Sequence, residues 1–203
     1  METVANPIAS TPRTEAVFDM LLGRRSHWPL TEPAPSDAEL DLIFDTALRA
    51  PDHGRLQPWR FALIRGEARA ELGEVLVDIA AAREPGTPRA AHEHRRQRAL
   101  AAPVIIALGV SITRGSIPAS EQLLCAGAAA MNMLNAIHAL GYGGFWATGA
   151  DSYDATLKAA LDFEAEDTLI GFLFVGTPKT RESAPPRPPR ANHVREWFGR
   201  ASI

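Results

Sequence analysis

Between Ser120 and Leu140 the chain runs through a helix-length segment that is apolar nearly all round, with Leu123, Ala126, Ala130, Met131, Leu134 and Ile137 among its residues. A helix without a polar face must be covered on every side, by a core, a subunit interface or both. Gly127 inside it gives up helix propensity and leaves room for another backbone to approach, while Met131 and Met133 read as packing. Around this helix lie apolar runs with the character of buried strands: Phe61 to Ile64, Val104 to Val110 and Leu169 to Val175. Gly141-Tyr142-Gly143-Gly144 is expected to close the helix, with Phe145 to Gly149 following as a short strand or extended loop.

The remaining segments read as helices. Thr14 to Gly23 carries Val17, Phe18, Leu21 and Leu22 on one face and stops at a glycine. Ser36-Asp37-Ala38-Glu39 has the form of a capping box and opens a helix with Leu40, Ile43, Phe44 and Ala47 at helical spacing, which must end before Pro51. Arg69 to Ala82 and Ser152 to Leu161 complete the set. Helices and strands alternate without a phosphate-binding P-loop or a Gly-x-Gly-x-x-Gly turn, so the expectation is an α+β sandwich and not a Rossmann domain.

At 203 residues and 46% apolar content the chain suits one well-buried domain. We expect a flexible arm over 1–12, the domain over 13–180, and an extended Pro- and Arg-rich tail over 181–203 whose Trp197-Phe198 docks on a partner subunit. The net charge of −3 argues against a nucleic-acid partner. Cys125, the single cysteine, excludes an intrachain disulfide and reads as a small buried apolar residue. With no run of 18 apolar residues and no signal pattern, a soluble cytoplasmic protein without a membrane partner is expected.

Two motifs carry the chemistry. Arg24-Arg25-Ser26 places two permanent cations and a hydroxyl just past the first helix, which suits a phosphate monoester; the structural alternative is a basic helix C-terminus facing the macrodipole. Pro51 to Trp59, reading Pro-Asp-His-Gly-Arg-Leu-Gln-Pro-Trp, then feeds the strand that starts near Phe61. In order and spacing the pair resembles the FMN-dependent nitroreductase family, and Arg49-Ala50-Pro51-Asp52-His53 is most similar to its YdjA-like group of bacterial NAD(P)H nitroreductases. Leu140-Gly141-Tyr142-Gly143-Gly144 and Trp146-Ala147-Thr148-Gly149 are similar to the end of the family's long helix and its flavin-side segment.

The resemblance spans roughly Ala16 to Lys179. It implies a nitroreductase-like sandwich, with a central, mostly antiparallel sheet flanked by helices and a long core or interface helix. It also implies a homodimer holding FMN at the subunit interface, with NADH or NADPH as hydride donor and a nitroaromatic, quinone or similar small molecule as electron acceptor in a ping-pong cycle. Carried over by position, Arg24, Arg25 and Ser26 contact FMN together with Trp146, Ala147 and Thr148 of the same chain, while Arg49 and His53 reach it from the other subunit. Ala136, Ile137, His138, Ala139, Leu140 and Gly141 correspond to a stretch given to NAD(P)H. No catalytic side chain is assigned, because the flavin N5 carries the hydride.

The chain departs from the family pattern at three places. Trp28 and Pro29 stand where many members have a further arginine, so one cation is missing or is supplied by Lys179 or Arg190. Arg55 stands where many have asparagine, which brings a cation toward the site. Arg83 to Gln97 breaks the helical pattern and is expected as a lid or a solvated helix; its His92 and His94 are poorly spaced for a metal. Other readings are a flavin-consuming or dehalogenating enzyme of the same fold, and a non-enzymatic module binding an acidic partner through the basic stretch up to Arg98.

Overall fold

The computed structural model describes residues 11–180 and 185–199. Helix α1 (Pro12–Gly23) starts where Thr11 accepts the Thr14 N–H and Pro12 takes the first turn, so the helix claims the end of the expected arm, whose residues 1–10 lie outside the described residues. After β1 (Leu30–Thr31) comes α2 (Asp37–Ala47), entered through the expected capping box: Ser36 accepts the Glu39 N–H and Glu39 accepts that of Ser36. These bonds from Ser36, with one from Tyr142, hold the Glu39 carboxyl below the usual carboxylate range.

The chain continues through a 3₁₀ turn at His53–Arg55, β2 (Trp59–Arg65), α3 (Ala68–Arg83), a 3₁₀ turn at Arg89–His92 and α4 (Glu93–Leu100). Next are β3 (Val104–Val110), α5 (Ala119–Ala139), β4 (Gly143–Ala147), a 3₁₀ turn at Ala150–Tyr153, α6 (Ala155–Ala160) and β5 (Thr168–Pro178). The strands pair antiparallel in the order β2, β3, β5, β4, with β1 joining the far end of β5.

Every residue of β3 is buried because helices cover both faces of the sheet. Val104, Ile106 and Leu108 point into a core shared with α2 and α5; Ile105 and Ala107 point the other way, among Leu72, Ile79 and Ala99 of α3 and α4 and Leu157 of α6. The continuous apolar run in the sequence is thus two alternating faces, each with its own core. Cys125 sits in the first core, where burial pushes its thiol up to about 11, as expected of an inert residue.

Helix α5 is buried along most of its surface but leaves Leu124 and Met131, two turns apart, exposed on the side away from the sheet. Helix α1 buries no residue, and Phe18 and Leu22 are 53% and 74% exposed. Leu42 extends this uncovered apolar surface, lining a cleft with Met20 of α1 and Ala139 of α5. The expected cover of α5 is therefore a core on one side and, among the described residues, nothing over Leu124 and Met131 on the other.

Three expectations need correction. Gly143 and Gly144 do not close α5; they begin β4, where a Cβ would come within 2.7 Å of Leu30 and 2.8 Å of Leu134. The expected helix over Ser152 to Leu161 is divided, because Asp154 leaves the 3₁₀ turn and caps α6 by accepting the Thr156 N–H. Of the two readings of Arg83 to Gln97, the helix holds from Glu93 on and the lid does not: Arg96 ties α4 to Glu74 of α3 and also pairs with Glu93 within its own helix, and Arg89 pairs with Glu74 and Asp78. These partners also occupy most of the basic stretch that an acidic macromolecule would need. The described part of the tail, 185–199, is exposed throughout, with Trp197 and Phe198 at 82% and 84%; residues 181–184 and 200–203 lie outside the described residues.

Candidate cofactor groove

Among the described strands β4 pairs with β5 alone, and the segment after α1 lies along its other edge. Ser26 bridges Gly144 in the parallel sense, and the His27 N–H donates to the Gly144 carbonyl at 3.3 Å. This docking holds Arg24 and Arg25 beside the start of β4. A set of adjoining clefts follows the same edge. One of about 220 Å³ is lined by Gly23, Arg25, His27, His138, Gly141 and Tyr142. It shares Arg25 and His27 with a second of about 280 Å³, which Ser26, Trp28 and Lys179 also line. Trp28 leads on to a third of about 390 Å³ formed with His94, Gln97, Arg98, Ala101 and Phe145. Arg98 finally borders a small pocket of about 60 Å³ that includes Thr148 and Gly149.

The two ends of this groove differ chemically. At the first, burial and then the neighbouring Arg187 hold the Arg24 guanidinium below its ordinary range, and burial and then Arg24 push His138 below 6.5. A partly buried guanidinium facing a second one is stabilised by an anion placed beside it. At the other end, Trp28 stacks tilted on Phe145 and edge-on to Phe174, with ring centroids 5.2 and 5.0 Å apart. His94, Gln97 and Arg98 rise from one face of α4, three and four residues apart. The His94 Nδ1 lies 3.2 Å from the Ala91 carbonyl, so it donates there and leaves Nε2 for the cleft. Arg98 has no carboxylate partner among the described residues, whereas Arg89, Arg95 and Arg96 all do.

Arg25, Ser26 and Thr148 thus line one groove, spread along β4, and Arg24 stands next to its first end, close enough to act on His138. Four steps of about 3.4 Å give that strand a length of about 14 Å. Trp146 is turned away: its indole N–H donates to the Ile170 carbonyl at 3.1 Å on the α5 side of the sheet. Ala147 is buried. The six residues of the expected NAD(P)H stretch divide between two surfaces and the core. His138 and Gly141 line the groove, Ile137 is fully buried, and Ala136, Ala139 and Leu140 line an outward cleft of about 530 Å³ with Met20, Thr46, Arg49 and Asn132.

His53 and Arg49 do not join the groove of their own chain. Asp52 shapes their loop by accepting the Leu56 and Gln57 N–H groups, and His53 Nδ1 meets Glu121 at 2.7 Å, at the first turn of α5. From there to His138 the helix climbs 17 residues, about 26 Å at 1.5 Å each. Arg55 sits in the same distant loop with φ +55°, so it brings no cation to the groove of its own chain. The cation beside Arg24 is Arg187, not Arg190, which is exposed in a 3₁₀ turn; Lys179 lines the adjoining cleft. None of Trp28, His94, Gln97, Arg98 and Arg187 was assigned to the site from the sequence. The spacing of 94, 97 and 98 is a helical signal, visible once that stretch is known to be helix.

Asp151 fixes the end of β4 relative to α3 and α4 through Arg83 and Arg95, and Arg83 also binds Asp154, holding that carboxyl below its usual range. Asp151→Asn should lower stability by about 1.5 to 3 kcal/mol, the usual worth of charge-assisted bonds. A urea midpoint equal to wild type would show that the clamp adds nothing.

The model of the Nitroreductase family matches residues 21–177, which include Arg24 to Ser26, β4 and all of β5 but its last residue. The chain belongs to the nitroreductase family. It is 36% identical over 167 residues to the Escherichia coli K12 protein named "Putative NAD(P)H nitroreductase YdjA", covering 82% of this chain and 90% of that one. Among solved structures, a nitroreductase-like protein of Bacillus cereus superposes with a TM-score of 0.78 at 19% identity, covering 98% of this chain and 100% of that one. A Desulfovibrio desulfuricans nitroreductase solved in complex with FMN gives 0.67 at 28%, with coverage of 94% and 100%. No helix of this nitroreductase among the described residues is long and apolar enough to cross a membrane.

Proposed function

We propose that this nitroreductase is an NAD(P)H-dependent FMN oxidoreductase that works as a cytoplasmic homodimer and reduces nitroaromatic, quinone or similar acceptors. The observation that carries the reading is the groove along β4, cationic at the Arg24 end and aromatic with amide and imidazole groups at the Trp28 end. That donor set fits a flavin mononucleotide laid along the strand, phosphate toward Arg24, Arg25 and Arg187, and ring toward Trp28, His94 and Gln97. Ser26 and Lys179 line the stretch between. Bound there, FMN would accept a hydride at N5 from NADH or NADPH and pass it to the acceptor in a second half-reaction, so the protein's part is placement and electrostatics.

A second copy on the uncovered apolar face of α1, α2 and α5 would bury Phe18, Leu22 and Met131 and bring in Arg49 and His53 of the partner subunit. The exposed Trp197-Phe198 of the tail has its place on that copy too. Purified protein should be yellow, elute as a dimer and bleach anaerobically on addition of NADH or NADPH. Colourless protein that takes up no added FMN would end this reading.

A further inference from the structure

We infer that His138 is a proton-linked ligand of the phosphate end of the groove: it gains a proton as a phosphate monoester binds, and flavin affinity therefore depends on pH. The inference rests on the flavin reading above and assigns to the phosphate a residue that the family resemblance would give to NAD(P)H.

The geometry is specific. His138 lies in the last turn of α5 and lines the same cleft as Gly23, Arg25, His27 and Tyr142; its Nε2 is 3.7 Å from where a Cβ on Gly23 would be. The ring is thus held against the end of α1, beside Arg24. The charged and titratable groups around it are Arg24, Arg25 and His27 from the segment after α1 and Tyr142, whose hydroxyl donates to Glu39; Arg187 of the tail faces Arg24. Burial and Arg24 both disfavour the charged form of the imidazole.

A phosphate dianion reverses that balance. It neutralises the field of Arg24 and Arg187 and adds negative charge beside the ring, and the C-terminal end of α5 favours a cation as well. The bound-state pKa of His138 then lies above its free-state value. Between those two values binding takes up a proton, and affinity falls as pH rises, by at most about tenfold per pH unit for one proton. The second ionisation of a phosphate monoester lies near pH 6, so above about pH 7 the ligand is already a dianion and does not mask this limb.

The test is titration of the apoprotein with FMN, followed by quenching of flavin fluorescence, from pH 6 to pH 9. Wild type should bind about tenfold more weakly at pH 9 than at pH 7. His138→Gln should bind with the weak affinity at every pH above 7, and His138→Lys with the tight one. Riboflavin, which lacks the phosphate, should show no such slope. A slope that survives in His138→Gln, that vanishes instead in His27→Gln, or that riboflavin shares would overturn the proposal while leaving the flavin site intact. Failure of FMN to bind at any pH would remove the flavin reading and this inference together.

Discussion

Arg24→Ala and Arg49→Ala chains, each weak in FMN as homodimers, should recover half of the wild-type activity as a purified heterodimer. Arg24 stands at the cationic end of the groove of its own chain, partly buried beside Arg187. Removing one charge-assisted contact to phosphate there costs about 1.5 to 3 kcal/mol, which is about ten- to a hundredfold in affinity. Arg49 opens instead onto the outward cleft with Met20, Asn132 and Ala136, on the side of α5 where Leu124 and Met131 lie uncovered. If a partner docks on that side, each flavin takes Arg24 from one chain and Arg49 from the other. The heterodimer then holds one intact site and one site with both lesions. Native mass measurement checks the assembly, and FMN titration should find one tight site per dimer. Two equally weak sites would show that both arginines serve the flavin from the same chain.

Gly171→Val should lower the melting temperature by about 10 °C and release flavin at the same time. Gly171 lies in β5 at φ +127°, where the register with β3 slips between Leu108 and Gly109. That conformation favours glycine, and holding another residue there costs about 1 to 3 kcal/mol. A Cβ would also come within 2.5 Å of the Ala147 carbonyl, 2.8 Å of the Trp146 Nε1 and 2.9 Å of Thr148. Forced overpacking adds about 1 to 3 kcal/mol, and each kcal/mol is worth about 2 to 4 °C in a chain of this size. The atoms that must yield belong to the end of β4, so the groove is disturbed along with the core. Calorimetry and the flavin content of the purified variant measure both effects. A variant with normal melting and full FMN would show that the bulge relaxes freely.

What was legible in the sequence was local. The capping box at Ser36 and Glu39, the run Val104 to Val110 and the extent of α5 follow from side-chain chemistry within a few residues, and the structure keeps them nearly to the residue. Arg24-Arg25-Ser26 could be read as an anion site because two guanidiniums and a hydroxyl in three residues carry that chemistry wherever they fold. The division of roles at the groove was not legible in this way. Nothing near Trp146 says that its indole turns to Ile170, or that Gly143 and Gly144 extend a strand instead of ending a helix, because both depend on what lies opposite: β5 in one case, Leu30 and Leu134 in the other.

The stretch from Arg83 to Gln97 shows the same limit. Its charges look solvated in sequence, and only Glu74, Asp78 and Asp151, all outside the stretch, turn most of them into straps and leave the neighbouring Arg98 facing a cleft. Arg187 gains its meaning from Arg24, more than 150 residues away. The sequence alone determined which elements form and which residues carry charge, since hydrogen bonding to near neighbours and hydrophobic period act over one or two turns. The tertiary structure decided which of those charges stay paired and which are left along the β4 edge, because Coulomb energy and burial depend on distance in space.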